Sequence, residues 1–221
     1  MKPEHKKYYR DDGSIEIEEW SLNNKHHRVD GPALVRYRED GSVEEKSWCL
    51  NDRFHRIDGP ATVEYRKDGS IEEECWFLNG GFHRADGPAH IRYRDDGSIE
   101  EERWILNDEL HRIDGPAYIV YRKNGSVERK SWYLNNKCHR ADGPAVVLYK
   151  KNGSVSSEHW YLNNEYINPE EHLTPTPKTE EKKIELINEI AFIEENNDYI
   201  FIKKWLRNDK EFYEKYRVLI E

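Results

Sequence analysis

Five histidine–arginine pairs, His27-Arg28, His55-Arg56, His83-Arg84, His111-Arg112 and His139-Arg140, are the residues of this chain best equipped for chemistry. Each is followed, two residues after the arginine, by an aspartate: Asp30, Asp58, Asp86, Asp114 or Asp142. A guanidinium recognises carboxylate or phosphate oxygens through parallel N–H donors, so a row of such pairs could take a phosphate-bearing or acidic ligand. His55, Arg56, His83, Arg84, His111 and Arg112, in the middle of the row, are the candidate ligand-binding residues. The alternative is local: arginine and aspartate pair with each other, the aspartate caps the tight bend after it, and the histidine bonds a neighbouring backbone. A feature present in every unit is what stacking needs, whereas a site is normally unique, and this favours the local reading. Catalytic His–Asp and metal readings fall further behind. No nucleophile recurs beside the histidines, and groups two strands apart, about 9–10 Å, are too distant to share one ion. No catalytic residue, metal site or cofactor is expected, and the chain reads as a non-enzyme.

The pairs are positioned by a repeat of 28 residues. Gly13, Gly41, Gly69, Gly97, Gly125 and Gly153 precede a serine at that interval, and Trp20, Trp48, Trp76, Trp104, Trp132 and Trp160 keep the same step. A fixed period of this length marks a stacked architecture, in which one unit cannot bury its own apolar face and its neighbours complete it. The stretch Lys6 to Arg10 matches the end of a unit and is expected to cap the array as a half-repeat, because Tyr9-Arg10 lead into the same turn as Tyr37-Arg38.

Each unit contains two extended segments, exemplified by Ser98 to Leu106 and Ala117 to Arg122. Alternation in the second (Ala33, Val35, Tyr37; Ala61, Val63, Tyr65; and so on to Ala145, Val147, Tyr149) predicts a strand with one buried face. The tryptophan, and the leucine two residues beyond it, belong to that face by the same rule. The Val or Ile after the glycine–serine pair has the opposite parity from the tryptophan, as Ile99 has from Trp104, which calls for a bulge or a different packing at that end. Asp-Gly or Asn-Gly before the serine, and the asparagine after each tryptophan–leucine segment (Asn23 through Asn163), are turn signals that close hairpins. The expected fold class is mainly β, a single-layer antiparallel meander of about twelve strands on the order of 50–55 Å long, followed by a C-terminal α-helical module.

The string WxLNxxxHRxDGPAxxxY resembles the MORN-like β-hairpin repeats, including the YwqK type and the WxxNGxxHRxDGPA arrays of phage, giant-virus and some bacterial proteins. It spans roughly residues 9–166, and the HRxDGPA segment recurs in five copies. The resemblance implies a β-meander used for binding or scaffolding, with no catalytic mechanism, and suggests a phage or other viral protein acting on a host factor. The unit is longer and less glycine-rich than the shorter MORN consensus, so the lipid binding attributed to some MORN proteins carries over poorly.

Variation between units is more informative than repetition. On the face away from the tryptophans, the residue between Trp and Leu runs Ser21, Cys49, Phe77, Ile105, Tyr133, Tyr161, becoming apolar along the chain. The late positions Ile105, Tyr118, Val120, Tyr133, Val146, Leu148 and Tyr161 therefore require a cover, from the tail or from a partner. The early units keep a polar face with Arg36, Arg38, Glu64, Arg66, His90, Arg92 and Arg94. After residues 1–168, a proline-broken linker (169–179) leads to 180–221, where Ile184, Ile187 and Ala191 with Leu186, Ile190 and Ile193 form a helical stripe. This module is expected to fold back over the late units.

Composition sets the class of partner. A net charge of −9, from 35 Lys+Arg against 44 Asp+Glu, disfavours nucleic acid, which demands a basic surplus. No stretch is apolar enough for a bilayer or a signal peptide. Cys49, Cys75 and Cys138 occupy three different repeat phases and form no CxxC pair, which argues against a disulfide framework or a zinc site and for a reducing compartment. The expectation is a cytoplasmic scaffold or inhibitor that holds another protein, in the host cytoplasm if viral. Two alternatives are a sequestering protein for a nucleotide-like anion on the Arg and His rows, and a structural protein that self-assembles through its tail or sheet edge.

Overall fold

In the computed structural model, residues 2–168 are described, and among them every regular element is a strand. The expected linker 169–179 and helical module 180–221 lie outside the described residues. Twelve strands follow one another in chain order across one antiparallel sheet, from Glu4–Tyr9 to Val155–His159, with the short arm Lys25–His26 attached beside Ile15–Leu22. At about 4.8 Å per step such a sheet runs on the order of 50 Å. The expected capping strand is present: Glu4–Tyr9 pairs with Ile15–Leu22, its charged Lys6 and Lys7 lying along the sheet edge. Its His5 stands opposite Trp20 and stacks on it at 4.2 Å between ring centres.

Turn chemistry sets the hairpins. In the third unit Arg66 N–H donates to Ser70 O (2.8 Å) and Gly69 N–H to Arg66 O (3.0 Å), with Gly69 at φ +83°. This is a type I turn closed by a left-handed glycine. Asp68 fixes it by accepting from the Ser70 N–H and hydroxyl at 2.9 and 2.7 Å. The parity conflict after the glycine–serine pair is resolved by a bulge: Arg36 faces Glu45 but Tyr37 faces Val43, so Glu44 is the extra residue and Val43 rejoins the tryptophan face. Every unit repeats this shift.

One feature of the units was not anticipated. The strand carrying the tryptophan changes partner at that residue. Trp76 N–H donates to Ala89 O at 2.7 Å, while Trp76 O accepts from His83 N–H at 3.1 Å. Beyond it, Phe77–Leu78 pairs only with Gly81–Phe82, through a turn with Asn79 at φ 53° and Gly80 at φ 98°, the two positive values a two-residue type I′ turn demands. Ser98 to Leu106 is accordingly two strands, Ile99–Arg103 and Ile105–Leu106. The short hairpins form a second row, tied from unit to unit by bonds such as Asp108 N–H to Phe82 O (2.9 Å) and Phe82 N–H to Asp108 Oδ1 (2.7 Å).

Burial falls on small residues. Ala33, Ala61, Ala89, Ala117 and Ala145 are 0% exposed, and Val35, Val63, Ile91, Ile119 and Val147 are nearly so. The tryptophans and tyrosines, expected as the buried columns, are half-buried, because loops and long polar side chains are what covers them. Each ring of Trp20, Trp48, Trp76, Trp104 and Trp132 lies under the guanidinium of its own unit's HRxDGP arginine, 3.6–4.2 Å away. The other side of that guanidinium abuts the glycine of the same loop. A Cβ on Gly87 would stand 2.6 Å from the Arg84 guanidinium carbon, and one on Gly31 2.9 Å from that of Arg28. A side chain at these glycines would displace the guanidinium from its place on the ring, and it is this close approach, not φ, that favours glycine there.

A second arginine column joins the units. Arg38, Arg66, Arg94 and Arg122 each donate to a carbonyl of their own hairpin (Val43, Ile71, Ile99 and Val127) at 2.6–2.7 Å. Each also donates to the tyrosine carbonyl of the following unit, at Tyr65, Tyr93, Tyr121 and Tyr149. Arg10 does the same for the cap, reaching Ile15 and Tyr37. Arg38, Arg66 and Arg94, expected on the open polar face, are thus internal staples.

The clamp predicts a non-additive pair. Arg84→Ala should lower the unfolding free energy by about 1–2 kcal/mol through the lost cation–π and hydrogen-bond contacts. Gly87→Ala should cost about 1–3 kcal/mol by overpacking. In the Arg84→Ala background Gly87→Ala should cost almost nothing, since the group it collides with is gone, and urea titrations of the four proteins measure the coupling.

Candidate functional site

The HRxDGP row is built from groups that already have partners. Arg56 Nε donates to Asp58 Oδ1 at 2.9 Å and its Nη1 to Pro60 O at 3.3 Å; Arg84 does the same with Asp86 (3.0 Å) and Pro88 (3.2 Å), and Arg112 with Asp114 (2.8 Å) and Pro116 (3.4 Å). The arginine beside it is the leading cause that holds the Asp58 carboxyl below the usual range, and likewise Arg28 for Asp30. Nδ1 of His55, His83 and His111 lies 3.0, 2.9 and 2.6 Å from the side-chain oxygen of Asn79, Asn107 and Asn135 in the next unit. The histidine partner is therefore an asparagine turn, and the aspartate braces its arginine. Between adjacent loops lies a groove of about 330 Å³, lined by Arg28, Asp30, Trp48, Arg56 and Asp58 among others. Its carboxylates balance its guanidiniums, which leaves no net positive field for an anion.

The opposite face is where the units differ. Register places Arg36, Glu45, Glu64, Glu73, Arg92 and Glu101 side by side across six consecutive strands. Three carboxylates are direct neighbours in that row. Arg36 closes one end on Glu45 (3.2 Å) and Arg92 the other on Glu73 (3.4 Å), leaving Glu64 between two like charges. Partial burial, then the carboxylates of Glu73 and Glu45, push the Glu64 carboxyl above its usual range. One row along, Thr62, Cys75 and His90 face one another, and His90 and Cys75 are buried at 4% and 6% exposure. Among the described residues, Glu73, Cys75 and His90 are the set of three potential donor residues whose donor atoms converge, within 4.8 Å. The Glu73 carboxyl is drawn down to about 2, chiefly by the His90 ring against it, and burial drives the Cys75 thiol up to about 12. Phe77 and Phe82, 4.1 Å apart by ring centres, continue this face onto the short hairpin, and Phe82 lies 6.3 Å from the His90 ring.

Further along, register places four of the expected docking residues, Tyr118, Val120, Val146 and Leu148, on this reverse face of the main sheet. Ile105, Tyr133 and Tyr161 lie on the short hairpins. All are half-buried, and the patch is striped. Arg129 stands opposite both Val120 and Leu148, and the Arg103 and Arg129 guanidiniums lie 5.5 and 5.6 Å over the Tyr118 ring. These arginines belong to the tryptophan-bearing strands, and they interleave with the apolar residues only through cross-strand register. Glu73, Cys75 and His90 were missed for a related reason. The signal was their departure from the repeat, but their meeting depends on cross-strand register. No protein-family model matches the chain, and none of the curated proteins does.

The carboxylate row gives a pH prediction. Glu64 has a folded pKa above its unfolded value, so its ionisation opposes folding; the penalty is absent below the unfolded glutamate value, about 4.3, and complete above the folded one. Glu64→Gln should raise the melting temperature at pH 7, and thermal melts against pH should show the gain vanish on acidification to about pH 4.

Proposed function

We propose that this protein is a non-enzymatic binding scaffold or inhibitor of MORN-like repeats, which holds another protein on the reverse face of its sheet. One observation carries the reading. The polar residues that recur from unit to unit are occupied in bracing their own loop or in joining units to each other, so the non-repeating reverse face is the surface left for recognition. That face offers what protein contacts use: aromatic side chains, arginines over aromatic rings and half-buried aliphatics, with charge at one end. A viral origin and a cytoplasmic setting belong to the same proposal and rest on the resemblance of the repeat. No helix among the described residues is long and apolar enough to cross a membrane. The stretch 180–221 enters the proposal as a helical module, on the periodicity of its apolar residues.

Photo-crosslinking residues placed at Val120 and Tyr133 on the reverse face, and at Lys46 on the tryptophan face, test the proposal in the native host. One protein captured from the first two positions and not the third is expected. Capture from all three alike, or from none, would end it, and capture of a second copy of the chain would turn the reading to self-assembly. Removing 178–221 should raise light scattering by the remainder. A truncated protein that stays monomeric and equally stable removes the tail from the proposal.

A further inference from the structure

Glu73, Cys75 and His90 meet once in the array. The preceding unit carries Glu45, Ser47 and Thr62 at these positions and the following one Glu101, Arg103 and Tyr118; no other unit pairs a thiol with an imidazole there. Glu73 and Cys75 alternate on Ile71–Cys75 and so share a face, and His90 opens the next strand directly opposite Cys75. His90 Nε2 is 3.0 Å from Glu73 Oε1, and Cys75 Sγ is 3.5 Å from the same oxygen. A tetrahedral ion with bonds of about 2.0–2.3 Å sets its ligand atoms roughly 3.3–3.7 Å apart. The two distances to the Glu73 oxygen already stand close to those separations, and all three donor atoms lie within 4.8 Å of one another.

A second observation is independent of this spacing. His90 is 4% exposed, and its Nε2, 3.0 Å from Glu73 Oε1, is left without a hydrogen bond of good geometry. A buried ring nitrogen left in this way is destabilising unless something else satisfies it. We propose that Glu73, Cys75 and His90 bind one Zn²⁺ ion, with the fourth position open to water. The mixed sulfur, nitrogen and oxygen set suits zinc, whereas calcium and magnesium take oxygen donors. Thiolate and carboxylate together balance the ion's charge, and the Glu45 and Glu64 carboxylates add a negative field against the Arg92 guanidinium beside Glu73. On binding, the Cys75 S–H bond gives its proton to solvent as the S–Zn bond forms, and no electron is transferred. The spacing of cysteines in the chain carries no trace of this site, since its ligands come together through register.

The full-length chain, stripped with a chelator, is titrated with Co²⁺ and then Zn²⁺. One equivalent of Co²⁺ should bind with a thiolate-to-cobalt charge-transfer band in the near ultraviolet, Zn²⁺ should displace it, and Zn²⁺ should raise the melting temperature. Cys75→Ser and His90→Thr install the pair that Ser47 and Thr62 already form at this place in the preceding unit, so the sheet accommodates both. Cys75→Ser should abolish the band, and His90→Thr should weaken binding more than about 100-fold, beyond what losing a supporting contact does. Cys49→Ser should change neither. Should one variant lose its far-ultraviolet sheet signal, the other decides. Absence of the band, binding beyond one equivalent, or undiminished affinity in the two variants would overturn the proposal.

Discussion

The arginine of each HRxDGP loop, held between a tryptophan ring and a glycine that has no room for a side chain, is the contact on which the array depends. Among the described residues only strands and loops are present to roof the apolar face, and an indole is too large to be covered by the alanine and valine beside it. The guanidinium solves this by lying flat on the ring while its edge donors go to Asp58 and Pro60, or their equivalents, in the same loop. Its charge is thus neutralised at the place where it is packed. The same clamp fixes the path of the loop back to Ala61 or Ala89, and hence the point where the next strand begins.

Stacking adds three further connections per step. The hairpin arginine reaches the next tyrosine carbonyl, the histidine reaches the next asparagine, and the type I′ turn bonds back to the previous short hairpin. Each is local and each repeats, which suits a fold whose stability is a sum of units and nearest-neighbour interfaces. These connections fit a 28-residue period that runs without insertion: one extra residue would displace three columns together. They also account for the most conspicuous polar row in the sequence without assigning it a ligand.

Freed of structural duty, the reverse face is where single units acquire individuality. Its early part carries crowded carboxylates and half-buried Glu73 with buried Cys75 and His90; its late part alternates aliphatic and aromatic side chains with Arg103 and Arg129. Like charges at Glu45, Glu64 and Glu73 work against the fold.

The sequence by itself determined the period, the hairpin turns and the capping strand, and narrowed the start of the tryptophan strand to a bulge or a different packing, because these follow from short-range rules: glycine and asparagine at positive φ, and strict alternation along each strand. It also contained the arginine–aspartate pairing, two residues apart. Only the tertiary structure decided that the strand changes partner at Trp76, that Arg38 and Arg66 are staples and not open surface, and that His90 meets Cys75. Those outcomes depend on which residues stand opposite each other across strands separated by many positions in the chain, and register of that kind is fixed by the whole stack of hairpins, not by any one of them.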